Sequence, residues 1–152
     1  MRLVLFEPEI AGNVGAVLRL GACMGVPVDL IEPLGFVWDD RRVRRAAMDY
    51  IGHVEVVRHA GFAAFRQACG SGRLVLLTSG GATALDRFVF RRDDLLLFGK
   101  ESAGVPEPVA RACAARVRIP MQPQLRSMNL ATSAGVALWE GLRQTGQLPG
   151  PV

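Results

Sequence analysis

Two hydrophobic rhythms alternate along the chain: short unbroken apolar runs, and longer stretches whose apolar positions recur every three or four residues. The first kind predicts strands, the second helices. Leu3 to Phe6 is a strand, and Asn13 to Met24 a helix with Asn13 as its N-cap. Val28 to Ile31 is a second strand. Asp39 or Asp40 then caps a short arginine-rich helix ending near Asp49. Val54 to Val57 is a third strand, Phe62 to Cys69 a helix, Leu74 to Thr78 a fourth strand and Leu95 to Phe98 a fifth. Pro106 suits the first turn of a helix running to about Ala114. Val117 to Ile119 is a sixth strand, and Leu130 to Arg143 the closing helix. This alternation predicts an α/β fold, a mainly parallel sheet with helices on both faces. With no repeat, low-complexity tract or linker, residues 1–152 read as one domain.

The 152 residues suffice for one sizeable core, and half of them are apolar against 21% charged, which excludes a disordered chain. No apolar run approaches the roughly 18 residues of a membrane span, and the start lacks a signal-peptide pattern. A cytoplasmic protein without membrane contact is expected. Cys23, Cys69 and Cys113 are odd in number and sit in apolar helical stretches. They read as buried small hydrophobes, not as disulfides or metal ligands. His53 and His59 flank a strand and read as surface or packing residues, so no metal is expected.

Net charge is +4, from 18 basic and 14 acidic residues, and Lys100 is the only lysine. Arginine presents a planar fork suited to phosphate. The run Arg41, Arg42, Arg44 and Arg45 lies near Phe36, Trp38 and Tyr50, aromatic rings able to stack on bases. A solvated helix face is the plain alternative; RNA contact is the reading favoured here.

Several chemistries lack their motifs. No G-x-G-x-x-G follows the first strand, which argues against a dinucleotide-dependent oxidoreductase. Glu101 follows Gly99-Lys100 where a P-loop needs Ser or Thr, and no G-x-S-x-G is present. What remains is a pair of loops, each following a strand: Phe98-Gly-Lys-Glu-Ser-Ala-Gly-Val-Pro106 and Ile119-Pro-Met-Gln-Pro-Gln-Leu-Arg-Ser-Met-Asn-Leu130. Ligands in open α/β sheets bind at these carboxyl ends. Gly and Pro hold irregular backbone there. Asn129 reads as the N-cap of the closing helix, whose free backbone donors also suit a polar ligand.

Three patterns, Asn13-x-Gly-x-x-x-Arg19, Phe98-Gly-x-Glu-x-x-Gly-x-Pro106 and Arg126-Ser-Met-Asn-Leu130, occur in order. Together with the segment Leu34 to Arg45 they resemble the SPOUT methyltransferases over almost the whole chain, and within them the bacterial tRNA wobble-nucleotide 2′-O-methyltransferases. Ala11-Gly12 stands where relatives usually carry proline before Asn13. The resemblance implies a C-terminal trefoil knot, which ordinary connection rules would not predict. It implies S-adenosyl-L-methionine as cofactor, leaving as S-adenosyl-L-homocysteine, and a tRNA anticodon stem-loop as substrate partner. Cofactor contacts fall on Leu77, Thr78, Gly99, Glu101, Ile119, Met121, Ser127 and Met128, with Gly99 allowing close backbone approach to the ligand. Arg19, Asn13, Ser127 and Asn129 form the catalytic group, and Arg41, Arg42, Arg44 and Arg45 face RNA. Helical lean places Arg19 back over Gly15 and Ala16 toward Asn13. A ribosomal RNA target or a non-catalytic RNA-binding module are the other readings. The closing helix is apolar on more than one stripe, at Val136, Leu138, Trp139 and Leu142, which points to a homodimer.

Overall fold

A computed structural model describes residues 1–39, 41, 43, 45 and 50–150. The strands are β1 (Arg2–Phe6), β2 (Val28–Ile31), β3 (Val56–His59), β4 (Leu74–Leu77), β5 (Thr83–Ala84), β6 (Leu95–Phe98) and β7 (Ala115–Arg118). They form one sheet in the order β3-β2-β1-β6-β4-β7-β5, and every recorded pairing is parallel. The helices are α1 (Ala11–Met24), α2 (Phe62–Cys69), α3 (Glu107–Arg111) and α4 (Leu130–Thr145).

Side chains alternate across a strand, and here both faces are covered. Leu3, Leu5 and Leu96 pack with Val14, Val17 and Leu18 of α1 and with Leu138 and Leu142 of α4. Val4, Phe6 and Leu97 pack on the other face with Phe65 of α2 and Val109 of α3. Both helices of the first face bury the i, i+3, i+4, i+7 stripe of an amphipathic helix. In α4 that stripe is Ala134, Ala137, Leu138, Gly141 and Leu142. Both helices end on a left-handed glycine, Gly25 (φ 65°) and Gly146 (φ 64°). The N–H of Val26 returns to the Gly21 carbonyl, and that of Gln147 to Leu142, closing each last turn.

The differences from the sequence reading are local. Helix α1 starts two residues earlier, after Ile10, so Asn13 is inside its first turn and does not cap it. Strand β3 lies two residues later than expected and β7 begins two earlier. β5, two residues long, went unpredicted. Asp39 does cap the arginine-rich segment, its Oδ1 accepting from Arg41 N–H at 2.8 Å. The helix end near Asp49 lies outside the described residues. Cys23 is exposed, not buried, because it continues the outward stripe of α1; Cys69 and Cys113 are half-buried. Burial pushes the Cys113 thiol up to about 11, which leaves it an inert packing group at neutral pH.

His53 is exposed and His59 buried. Among the described residues, the ligand atoms of His59, Asp29 and Cys69 lie within 4.8 Å of one another. Asp29 is already satisfied: His59 Nε2 sits 2.7 Å from Oδ1, and Arg2 Nε donates to Oδ2 at 2.7 Å. The group is a hydrogen-bonded cluster tying β1, β2 and β3 together. Among the described residues, no helix is long and apolar enough to cross a membrane.

Candidate active-site cleft

A cleft of about 660 Å³ opens at the carboxyl ends of β4, β6 and β7. Its floor is apolar, from Leu77, Phe98 and Ile119, and its rim carries Ile10, Met121 and Met128. All eight residues expected to hold cofactor line it: Leu77, Thr78, Gly99, Glu101, Ile119, Met121, Ser127 and Met128. Asn13, Asn129, Lys100, Ser102 and Ser133 add polar groups.

Three loops make the walls, and side-chain hydrogen bonds lock them together. Glu101, after β6, accepts at Oε2 from the Glu9 N–H (2.8 Å) and at Oε1 from the Ile10 N–H (3.3 Å) and Asn13 Nδ2 (3.0 Å). A carboxylate at the entry of α1 also meets the positive end of the helix dipole. Asn129 Nδ2 donates to Asn13 Oδ1 at 2.9 Å, while Asn129 Oδ1 caps α4 by accepting from Thr132 N–H at 3.2 Å. One chain of contacts therefore runs from Glu101 through Asn13 and Asn129 into α4. Both oxygens of Glu101 point into the wall, so its carboxylate braces α1.

A second set, which the sequence reading did not single out, repeats the same connection. Glu9 accepts from the Ser102 N–H at 2.8 Å and from its hydroxyl at 2.7 Å. These bonds hold the Glu9 carboxyl below its ordinary value. Lys100 pairs with Glu7 at 2.6 Å, which raises the lysine pKa. Glu7 itself adopts a left-handed φ of 46°, an uncommon state for a residue with a side chain, where the chain turns from β1 to the cleft. Glu7 and Glu9 stand two apart beside the Asn13 pattern, a signal that was available but undirected without knowing which loop faced them.

The loop's own packing calls for a glycine at Gly99. The Lys100 N–H donates to the Gly104 carbonyl and the Gly104 N–H to that of Lys100, each at 2.9 Å, so the loop folds back on itself. A Cβ on Gly99 would stand 2.6 Å from Gly104 Cα. Gly104 takes φ 67°, which glycine adopts without strain.

Arg19 does not line the cleft. It is exposed on the outward stripe of α1. Its guanidinium lies over the Tyr50 ring, 5.3 Å from the centroid, where the sequence reading had it reaching back to Asn13. Arg41 and Arg45 are helical and exposed around buried Val43, while Arg42 and Arg44 lie outside the described residues. Trp38 has the Arg58 guanidinium 5.0 Å from its ring centroid. On α4, Leu138 is fully buried, while Trp139 is 52% exposed and lines a groove of about 730 Å³ with apolar Met24, Leu85, Ile119 and Val136 and charged Asp86, Glu140 and Arg143.

Fold and cleft define an α/β protein that takes a small ligand at the carboxyl edge of a parallel sheet, between loops tied to one another by side-chain hydrogen bonds. The model of the SpoU rRNA Methylase family matches residues 1–139. The tRNA (cytidine(34)-2′-O)-methyltransferase of Beijerinckia indica is 49% identical over 148 residues, 96% of this chain and 92% of that protein. Its counterpart in Escherichia coli K12 is 42% identical over 154 residues, 100% of this chain and 98% of the other. A solved structure described as giving insights into the 2-OH methylation of C/U34 on tRNA has a TM-score of 0.90 at 43% identity, covering 94% of each chain. The SpoU methyltransferase AviRb from Streptomyces viridochromogenes, solved in complex with AdoMet, has a TM-score of 0.84 at 26% identity, covering 95% of this chain and 57% of that one. The chain belongs to the SpoU rRNA methylase family.

Proposed function

We propose that the protein transfers a methyl group from S-adenosylmethionine to the ribose 2′-hydroxyl of the wobble nucleotide in a tRNA anticodon loop. The observation that carries this reading is the cleft itself: eight residues expected from sequence to hold the cofactor line one cavity. Relatives alike over nearly the full chain support the target nucleotide.

The residues fit the cofactor in kind. Leu77, Phe98, Ile119 and Met128 offer apolar surface for an adenine, and the start of α4 with Ser127 and Ser133 offers polar groups. Bound there, the cofactor supplies an activated methyl carbon whose leaving group is a neutral thioether. The protein must hold the ribose oxygen in line with that carbon and ease loss of the hydroxyl proton to solvent water. Arg19 serves as a fixed cation for the oxygen and a neighbouring phosphate, not as the base that takes the proton. Asn13, Asn129 and Ser127 orient groups at the mouth of the cleft. Glu101 holds the wall.

Arg41 and Arg45, with Arg42 and Arg44, contact the RNA backbone. Residues 1–152 form one domain acting in the cytoplasm as a homodimer, the groove beside Trp139 covered by a second copy. The trefoil knot belongs to the same proposal. Supporting it, β7 pairs with β4 rather than with β6, and Gly81 packs so closely on β7 that a Cβ there would lie 2.6 Å from Arg118 N.

Calorimetry with S-adenosylmethionine, followed by mass spectrometry of methylated tRNA, tests the whole. Binding plus a methyl group on the ribose of nucleotide 34 is expected. Methylation of ribosomal RNA alone would move the target, and failure to bind the cofactor would leave an RNA-binding module.

A further inference from the structure

A ribose 2′-hydroxyl within an RNA strand does not arrive alone. The 2′- and 3′-oxygens sit on adjacent carbons, so the hydroxyl that enters the cleft brings its 3′-phosphodiester to the same rim. That anion needs a partner there, because a charge stripped of water and left unmatched is unfavourable. Among the described residues that line the cleft, Lys100 is the one with a cationic side chain. It is also held at both ends. Its N–H donates to the Gly104 carbonyl and its carbonyl accepts from the Gly104 N–H, each at 2.9 Å. Its Nζ lies 2.6 Å from Glu7 Oε2, and the side chain is 33% exposed, so the ammonium is ordered without being buried. Glu7 makes that contact from its left-handed backbone, φ 46°, where the chain leaves β1.

We infer that Lys100 is a substrate-binding residue: its ammonium takes the phosphodiester on the 3′ side of the ribose that is methylated. The inference rests on the ribose 2′-hydroxyl reading above. An ammonium carries three donors and Glu7 accepts one, so the same lysine holds Glu7 and a phosphate oxygen together. A mobile lysine gives up rotamer entropy when it binds. This one has given it up on folding, so the phosphate meets a cation already in place. A phosphate fixed at that point also sets the adjoining ribose against the cleft. Glu7, Glu9 and Glu101 bring three carboxylates to the same wall, and without Lys100 the rim would repel a polyanion.

The test is filter binding of the full-length protein to tRNA across a salt series. Lys100→Met keeps the stem and removes the charge. It should lower the salt slope by about 0.7, the value for one single-stranded phosphate, and so weaken binding by about fivefold at about 0.1 M salt. Lys100→Arg should recover the slope. Glu7→Gln breaks the pair but leaves the cation, and should keep the wild-type slope. A tRNA whose nucleotide 34 is 2′-deoxy and followed by an uncharged methylphosphonate linkage is compared with its phosphodiester twin. The wild-type protein should bind it more weakly by the same factor, and Lys100→Met should then add almost nothing, since groups in contact couple. Additive losses would overturn the inference. Equal losses of slope in Glu7→Gln and Lys100→Met would overturn it in favour of a brace for the loop. Weaker S-adenosylmethionine binding by Lys100→Met in calorimetry, with an unchanged tRNA slope, would give the ammonium to the cofactor's carboxylate instead. A wild-type protein that neither binds nor methylates tRNA would remove the function proposed above, and this inference with it.

Discussion

The backbone of Gly104 occupies the space that a side chain on Gly99 would need, with Gly104 Cα 2.6 Å from the ideal Cβ position. Gly99→Val therefore forces the 99–104 loop open. Overpacking of this kind costs about 1–3 kcal/mol, and because the loop is a cleft wall the cost falls on ligand binding. Calorimetry should show S-adenosylmethionine affinity reduced by about tenfold or more, with circular dichroism still that of a folded α/β protein. Wild-type affinity would mean that Gly104 yields without disturbing the cleft.

Asn129 does two things with one amide, and two substitutions separate them. Asn129→Asp keeps the acceptor that caps α4 but cannot donate to Asn13, whose own amide nitrogen is already committed to Glu101. Asn129→Ala loses both. Thermal melts should place Asn129→Ala below Asn129→Asp by a cap's worth, about 1 kcal/mol or 2–4 °C for a chain of this length. Both variants should lose methyl-transfer activity to a similar extent if the link to Asn13 is what shapes the cleft.

The Glu9–Ser102 contact should make the fold's stability sensitive to acid. The Glu9 carboxyl is held below its ordinary value of 4.5, first by the Ser102 hydroxyl and then by the Ser102 N–H. A depressed acid stabilises the folded state fully above the unfolded value and loses that contribution as pH falls through the lower, folded one. The melting difference between wild type and Glu9→Gln should be steady at neutral pH and shrink below about pH 4.5. A difference that grew with acid would reverse the assignment.

Replacing Arg41 and Arg45 together by Ala should weaken tRNA binding and reduce the salt slope by about two at most, since each phosphate contact releases about one counterion. Filter binding across a salt series reads both quantities. Unchanged slope and affinity would make the run a solvated face.

Trp139→Glu replaces the largest exposed apolar side chain of the α4 groove by a charge. Sedimentation should show a shift from dimer to monomer, with methyl transfer falling in step. A fully active monomer would make association incidental to catalysis.

The elements legible in the sequence were those where one rule dominated. Unbroken runs such as Leu95–Phe98 mark strands buried on both faces, and α4 carries cap, stripe and terminal glycine together. Legibility failed where neighbours decide. Val54, Val56 and Val57 are equally apolar, so only pairing with β2 sets which of them enter β3. Thr83–Ala84 is too short for a period and exists because β7 offers it an edge. Asn13 resembles a cap, yet Glu101, 88 residues away, claims its amide. Two of the cleft's loops were readable because each follows an apolar strand, and the individual lining residues came through the resemblance of the loop motifs. The bonds between those loops were not, since nothing local in Glu9 announces Ser102.

One consequence of the strand order concerns the order of events during synthesis. Arg2 at the start of β1 pairs with Leu95 at the start of β6, so the centre of the sheet joins segments made far apart in time. Until β6 leaves the ribosome, β1 has β2 as its one native partner strand available, and its other, apolar edge waits for β6. Such an edge is slow to satisfy and prone to wrong partners. The cleft, built on β4, β6 and β7, can take shape only after those strands have joined the sheet, so the binding site is among the last parts of the fold to be completed during synthesis.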